Sequence, residues 1–136
     1  MKPTTAHKIF AAGFAAWLLQ AWMTIPVRSQ SVAGLSQTAR AGQLLFEKRC
    51  TGCHGLDTAK EGPPLRTVYG RKAGSVAGFE YSDALKNSQM VWDDSKLNQW
   101  LSNTDSLVKG NDMDFAVPKR EERAEIIEYL KESSGK

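Results

Sequence analysis

The chain holds two cysteines and two histidines, and both cysteines lie with one histidine in the heptapeptide RCTGCHG, Arg49 to Gly55. Two thiols three positions apart, followed at once by an imidazole, can ligate zinc, cycle between dithiol and disulfide, or anchor a haem through two thioether links. A structural zinc draws four ligands from Cys, His and carboxylate side chains, and the other histidine, His7, lies far off in the N-terminal segment. A thioredoxin-like pair belongs to an α/β pattern with a strand ahead of it, whereas ARAGQLLFEKR, ahead of Cys50, reads as helix. Haem fits the spacing: two thiols add across the two vinyl groups on one porphyrin edge, and the next residue, His54, can turn its ring onto the iron. A second axial ligand must then come from downstream. A methionine thioether there stabilises ferrous iron and raises the potential. Beyond the first 33 residues the methionines are Met90 and Met113. Met90, beside Val91 and Trp92, reads as core filler. Met113 stands in KGNDMDFA between Asp112 and Asp114, where packing is a poor explanation for an apolar side chain.

The elements that must position these groups are helical. A first helix is expected over about Thr38 to Arg49, with Gly42, Leu45, Phe46 and Arg49 along one side. A mid-helix glycine costs about 1 kcal/mol against alanine, so Gly42 points to a close helix crossing. Gly55 to Tyr81, rich in glycine and carrying the pair Pro63-Pro64, reads as loop and turn, and so long an irregular stretch in a small domain should wrap something. SDALKNS from Ser82 reads as a short helix. DDSKLNQWLSN reads as another, capped by Asp93 or Asp94, with Leu97, Trp100 and Leu101 as its apolar face. A polar loop is expected from Thr104 to Asp114. A last helix follows over about Lys119 to Ser133, opened by Pro118, with Ile126, Ile127, Tyr129 and Leu130 as its stripe. No segment alternates as a strand does, so the expected fold is a small all-α domain with long loops.

The first 33 residues carry Lys2, Lys8 and Arg28 and no acid, around the uncharged run Ile9 to Val27. That pattern reads as an export signal, with SVA at Ser31 to Ala33 suited to cleavage. The run is also near the length of a membrane helix, so residues 9–27 equally suit a retained anchor. Residues 34–136 keep 15 Lys and Arg against 15 Asp and Glu, a formally neutral domain. The basic footprint of a nucleic-acid binder is missing. Export agrees with the haem reading, because attachment of this kind is completed outside the cytoplasm.

From Gly42 to Leu130 the chain resembles class I cytochromes c of the mitochondrial and bacterial c2 type. GQLLFEKRCTGCHG, GPPL, YGRKAGSVAGFEYSDALKNS, VWDDSKLNQWL, GNDMDFA and EIIEYLK occur in that family's order. The resemblance implies the small cytochrome c fold, with terminal helices crossing at Gly42 and loops wrapping one covalently bound haem c. Residue by residue, it makes Cys50 and Cys53 the thioether links, His54 the proximal iron ligand and Met113 the distal one. Pro63 becomes the carbonyl that accepts from the ligating histidine. Arg71, Tyr81 and Trp92 become the propionate-binding groups, and Phe115 packs at the haem edge. Trp100 falls where the family usually has a tyrosine near the methionine, so that hydroxyl is absent here, and Leu85 replaces an amide of the family's internal polar network. Where mitochondrial members ring the haem edge with lysines, this chain offers Asp105, Asp112 and Asp114, with Arg49, Lys119 and Arg120 keeping part of a positive rim.

The function implied is that of an electron carrier and not an enzyme, passing single electrons between redox proteins: a donor dehydrogenase or cytochrome complex, and an acceptor oxidase or reductase. It would be exported to a bacterial periplasm, soluble or anchored to the inner membrane through residues 9–27. The alternatives are a haem enzyme or gas sensor with a displaceable Met113, or an anchored subunit of a redox complex.

Overall fold

A computed structural model describes residues 34–135. The leader reading of residues 1–33 lies outside the described residues.

Helix α1, Gln37–Arg49, starts where Ser36 Oγ accepts the Ala39 N–H at 3.1 Å and ends with Lys48 and Arg49 in its last turn. Both features suit a helix: a capped N-terminus, and cations beside the exposed carbonyls. Its start precedes the expected one by a residue. From Gly55 to Tyr81 the backbone forms no helix, as the glycines and prolines predict. Two more helices are close to their expected places: α2, Asp83–Asn87, capped by Ser82, and α3, Asp94–Ser102, capped by Asp93. Among the described residues there is no strand. An isolated antiparallel bridge joins Lys72 to Val91.

The expected loop from Thr104 to Asp114 is corrected at its start, where Thr104–Leu107 forms the single turn α4. Asn103 is extended, which ends α3, and its Oδ1 accepts the Ser106 N–H at 3.0 Å. Val108 N–H then bonds back to Thr104 O at 2.9 Å. A capping asparagine thus begins a second helix directly after the first.

The last helix, α5, spans Arg120–Ser133, with Pro118 two residues ahead of it and no side-chain cap on Lys119. Arg123, 8% exposed, secures this end instead. Its guanidinium donates to Val117 O at 2.8 Å, to Pro118 O at 2.9 Å and to Asn98 Oδ1 at 2.9 Å, tying α5 to α3. The acceptors are neutral oxygens, but together they satisfy a buried cation that would otherwise be costly.

α1 packs across α5, with the Phe46 and Tyr129 rings 5.4 Å apart. At the crossing, a Cβ on Gly42 would lie 1.9 Å from Glu125 O and 3.0 Å from Tyr129 Cβ. The glycine is therefore the notch that the sequence pattern implies. Gly42→Ala should force the two helices apart, lowering stability by about 3 kcal/mol, as read from the denaturant midpoint of the haem-loaded protein; an unchanged midpoint would refute the notch.

Candidate functional site

The chain leaves α1 directly into the cysteine cluster. Cys50 N–H still bonds to Phe46 O at 2.8 Å, and the Cys53 and His54 N–H groups both return to Cys50 O, at 3.1 and 2.8 Å. This tight turn leads from the helix to one wall of a cavity of about 470 Å³, a volume suited to a bound organic group. All ten residues singled out from the sequence line it: Cys50, Cys53, His54, Pro63, Arg71, Tyr81, Trp92, Trp100, Met113 and Phe115. Leu97, Leu101, Ile126 and Leu130 supply apolar wall from α3 and α5.

His54 is fixed by its second nitrogen. Pro63 O lies 2.9 Å from His54 Nδ1, and because a carbonyl can only accept, Nδ1 carries the proton and Nε2 keeps its lone pair. Burial lowers the imidazole pKa against the opposing pull of Pro63, so the neutral, ligating form prevails at physiological pH. Gly62 makes room for the ring: a Cβ there would be 2.1 Å from His54 Cε1. Sequence reading passed over Gly62, although its place just before Pro63 was the available signal.

The two thiols are both protonated. Burial pushes Cys50 up to about 11. Cys53 is exposed, and its Sγ donates to Glu61 Oε2 at 3.0 Å, which raises its pKa too. Neither has the depressed pKa of an attacking thiol in disulfide exchange, which speaks against the dithiol reading.

Arg71 brings a charge into this apolar setting. One Nη donates to Pro64 O at 3.0 Å and the other to Thr67 Oγ1 at 3.2 Å, while Nε is buried without a partner. Burial lowers the Arg71 pKa, with Tyr81 opposing, and burial raises that of Tyr81. A guanidinium with an unspent buried N–H is suited to receive a carboxylate. Trp92, 6% exposed, stands edge-on to Trp100 with ring centroids 5.3 Å apart.

Trp100 supplies a contact that the comparison with tyrosine does not show. The position lacks a hydroxyl, yet a donor to the methionine is present: Trp100 Nε1 lies 3.2 Å from Met113 Sδ. Leu85, in place of an amide, adds apolar wall.

The fit to haem is thus chemical as well as volumetric. An apolar slot has paired thiols beside a neutral imidazole, a thioether, and an arginine ready for a carboxylate. The family model described as Cytochrome c matches residues 39–134. The chain belongs to the cytochrome c family. Cytochrome c type-1 of Ascaris suum is 40% identical over 99 residues, covering 71% of this chain and 88% of the relative. Cytochrome c of Theileria annulata is 43% identical over 99 residues, covering 70% and 85%. Among solved structures, cytochrome cH from Methylobacterium extorquens matches with a TM-score of 0.66 and 38% identity, over 69% of this chain and 97% of that one. As a cytochrome c, the protein is an electron carrier and not an enzyme, and it binds one covalently attached haem c through a motif that Cys50 and Cys53 fit. A side chain at position 62 would push the His54 ring off Pro63. Gly62→Ala should therefore lower the stability of the haem-loaded protein by about 3 kcal/mol, measured by denaturant titration; a variant as stable as the parent would show that the ring seat is dispensable.

Proposed function

We propose that this cytochrome c holds its haem iron between His54 Nε2 and Met113 Sδ, and shuttles single electrons between redox proteins outside the bacterial cytoplasm. The observation that carries the reading is the meeting of both side chains in one cavity, each already oriented by a hydrogen bond: His54 by Pro63 and Met113 by Trp100. When bound, the haem supplies the one-electron Fe(III)/Fe(II) couple. The protein's residues do the rest. Cys50 and Cys53 would fix one edge of the haem, and Pro63 sustains the basicity of His54 Nε2 by accepting the hydrogen bond of its Nδ1–H. Arg71 and Tyr81 offset carboxylate charge, with Trp92 beside them. Trp100 draws on the Met113 sulfur, which favours the reduced state, and Phe115 lines the edge through which electrons pass. His54 and Met113 would together hold the iron from the protein, leaving little to rearrange between its two oxidation states.

The partners would be a donor dehydrogenase or cytochrome complex and an acceptor oxidase or reductase. The positive part of the rim is partly spent internally, since Arg49 pairs with Glu122 at 2.6 Å and Lys119 with the same carboxylate at 3.4 Å. Glu61, Glu80, Asp112 and Asp114 line the cavity. Docking would thus depend less on a uniform positive ring than a lysine-rimmed carrier does.

Two experiments test this reading. Spectra of the haem-loaded protein should show a weak long-wavelength sulfur-to-iron band in the ferric state, lost in Met113→Ala, and no carbon monoxide binding to the ferrous parent. An absent band with ready carbon monoxide binding would instead favour a haem enzyme or gas sensor. Residues 1–33 are proposed as an export signal, cleaved after about residue 33. Mass spectrometry of the exported protein should find the shortened chain in the soluble fraction, and an intact N-terminus in the membrane fraction would assign an anchored subunit instead. Among the described residues, no helix is long and apolar enough to cross a membrane.

A further inference from the structure

Met113 lies in an irregular segment between two acids, with no helix to set its direction. The structure nevertheless holds this residue at three atoms. Its N–H donates to Asn111 Oδ1 at 2.8 Å, its carbonyl accepts from Thr104 Oγ1 at 2.6 Å, and its sulfur accepts from Trp100 Nε1 at 3.2 Å.

Each holder is itself fixed. Thr104 is 6% exposed and belongs to α4, so its hydroxyl reaches the Met113 carbonyl from a buried helical backbone. The Asn111 amide donates from Nδ2 to Val108 O at 2.9 Å and to Asp105 Oδ1 at 3.0 Å. Those two acceptors set which way the amide faces, leaving Oδ1 for the Met113 N–H. Two groups rooted in one capped turn therefore pin the backbone on both sides of the Met113 side chain. A buried hydroxyl parted from its acceptor is penalised by its lost solvation as well as by the lost bond.

We infer that Thr104 and Asn111 are positioning residues that keep the Met113 sulfur at its place in the cavity, and so keep the sixth iron position closed to small exogenous ligands. The inference rests on the His54/Met113 ligation proposed above. Neither residue supplies an iron ligand in that arrangement. Their effect passes through the Met113 backbone: with its N–H and carbonyl both held, the sulfur can leave only by side-chain rotation, which the Trp100 bond opposes.

The test is an imidazole titration of the ferric, haem-loaded full chain, following the sulfur-to-iron band. Thr104→Val keeps the shape and removes the hydroxyl, and it should bind imidazole about tenfold more tightly. Thr104→Ser restores the hydroxyl and should return the affinity to near that of the parent. Asn111→Ala should shift it in the same direction as Thr104→Val. Ser106→Ala is the structural control: Ser106 Oγ donates to Asn103 O at 2.7 Å within the same turn and makes no bond to Met113. It should lower stability and leave the imidazole affinity unchanged. A parent-like titration for Thr104→Val, or an equal shift for Ser106→Ala, would overturn the inference while leaving the His/Met reading intact. A parent without the sulfur-to-iron band would overturn both.

Discussion

The backbone contact between α1 and α5 at Gly42 is the constraint from which the rest of the site follows. The cysteine cluster begins in the residue that ends α1, so the position of that helix fixes where both thiols and His54 can be. The partner helix contributes Ile126 and Leu130 to the wall of the same cavity. Had the helices been held apart by even one methyl group, the two walls would no longer be registered to each other. Phe46 against Tyr129, and the Arg49 to Glu122 ion pair, add to the contact between the two helices.

Within that frame, polarity is rationed. The cavity walls are mainly apolar, and three of the polar groups that line them have a defined task or an unspent valence. The Pro63 carbonyl settles the tautomer of His54, and the Trp100 indole addresses a sulfur. Arg71 keeps one buried N–H in reserve. Arg123, by contrast, is buried with its donors directed to oxygens of α3 and the segment before α5, and serves only the architecture.

Much of this was legible in the sequence because local chemistry dictated it. CTGCH can be read without a structure, since thiol and imidazole spacing limits the chemistry to a few readings that the remaining chain separates. Gly42 was legible because a glycine inside a good helix-forming run demands a reason. α4 was not, because a four-residue turn has no periodicity to detect and only Asn103 announced it. The donor role of Trp100 was hidden for another reason. Comparison with a tyrosine shows which atom is missing, while the direction of an indole N–H is set by tertiary packing against Trp92. Thr104 and Asn111 were invisible as holders of Met113 because their bonds depend on how the loop returns to α4.

The wall that closes the cavity comes from the end of the chain, while the cysteines come from the first turns of the domain. Ser36 N–H bonds Glu132 across 96 positions, and Arg49 pairs with Glu122 across 73. Bringing residues this remote together carries a loop-closure cost that local contacts do not. The thiols and His54 thus belong to one end of the domain, and Ile126 and Leu130, which help to enclose them, belong to the other. The cavity is whole only when the two ends have met.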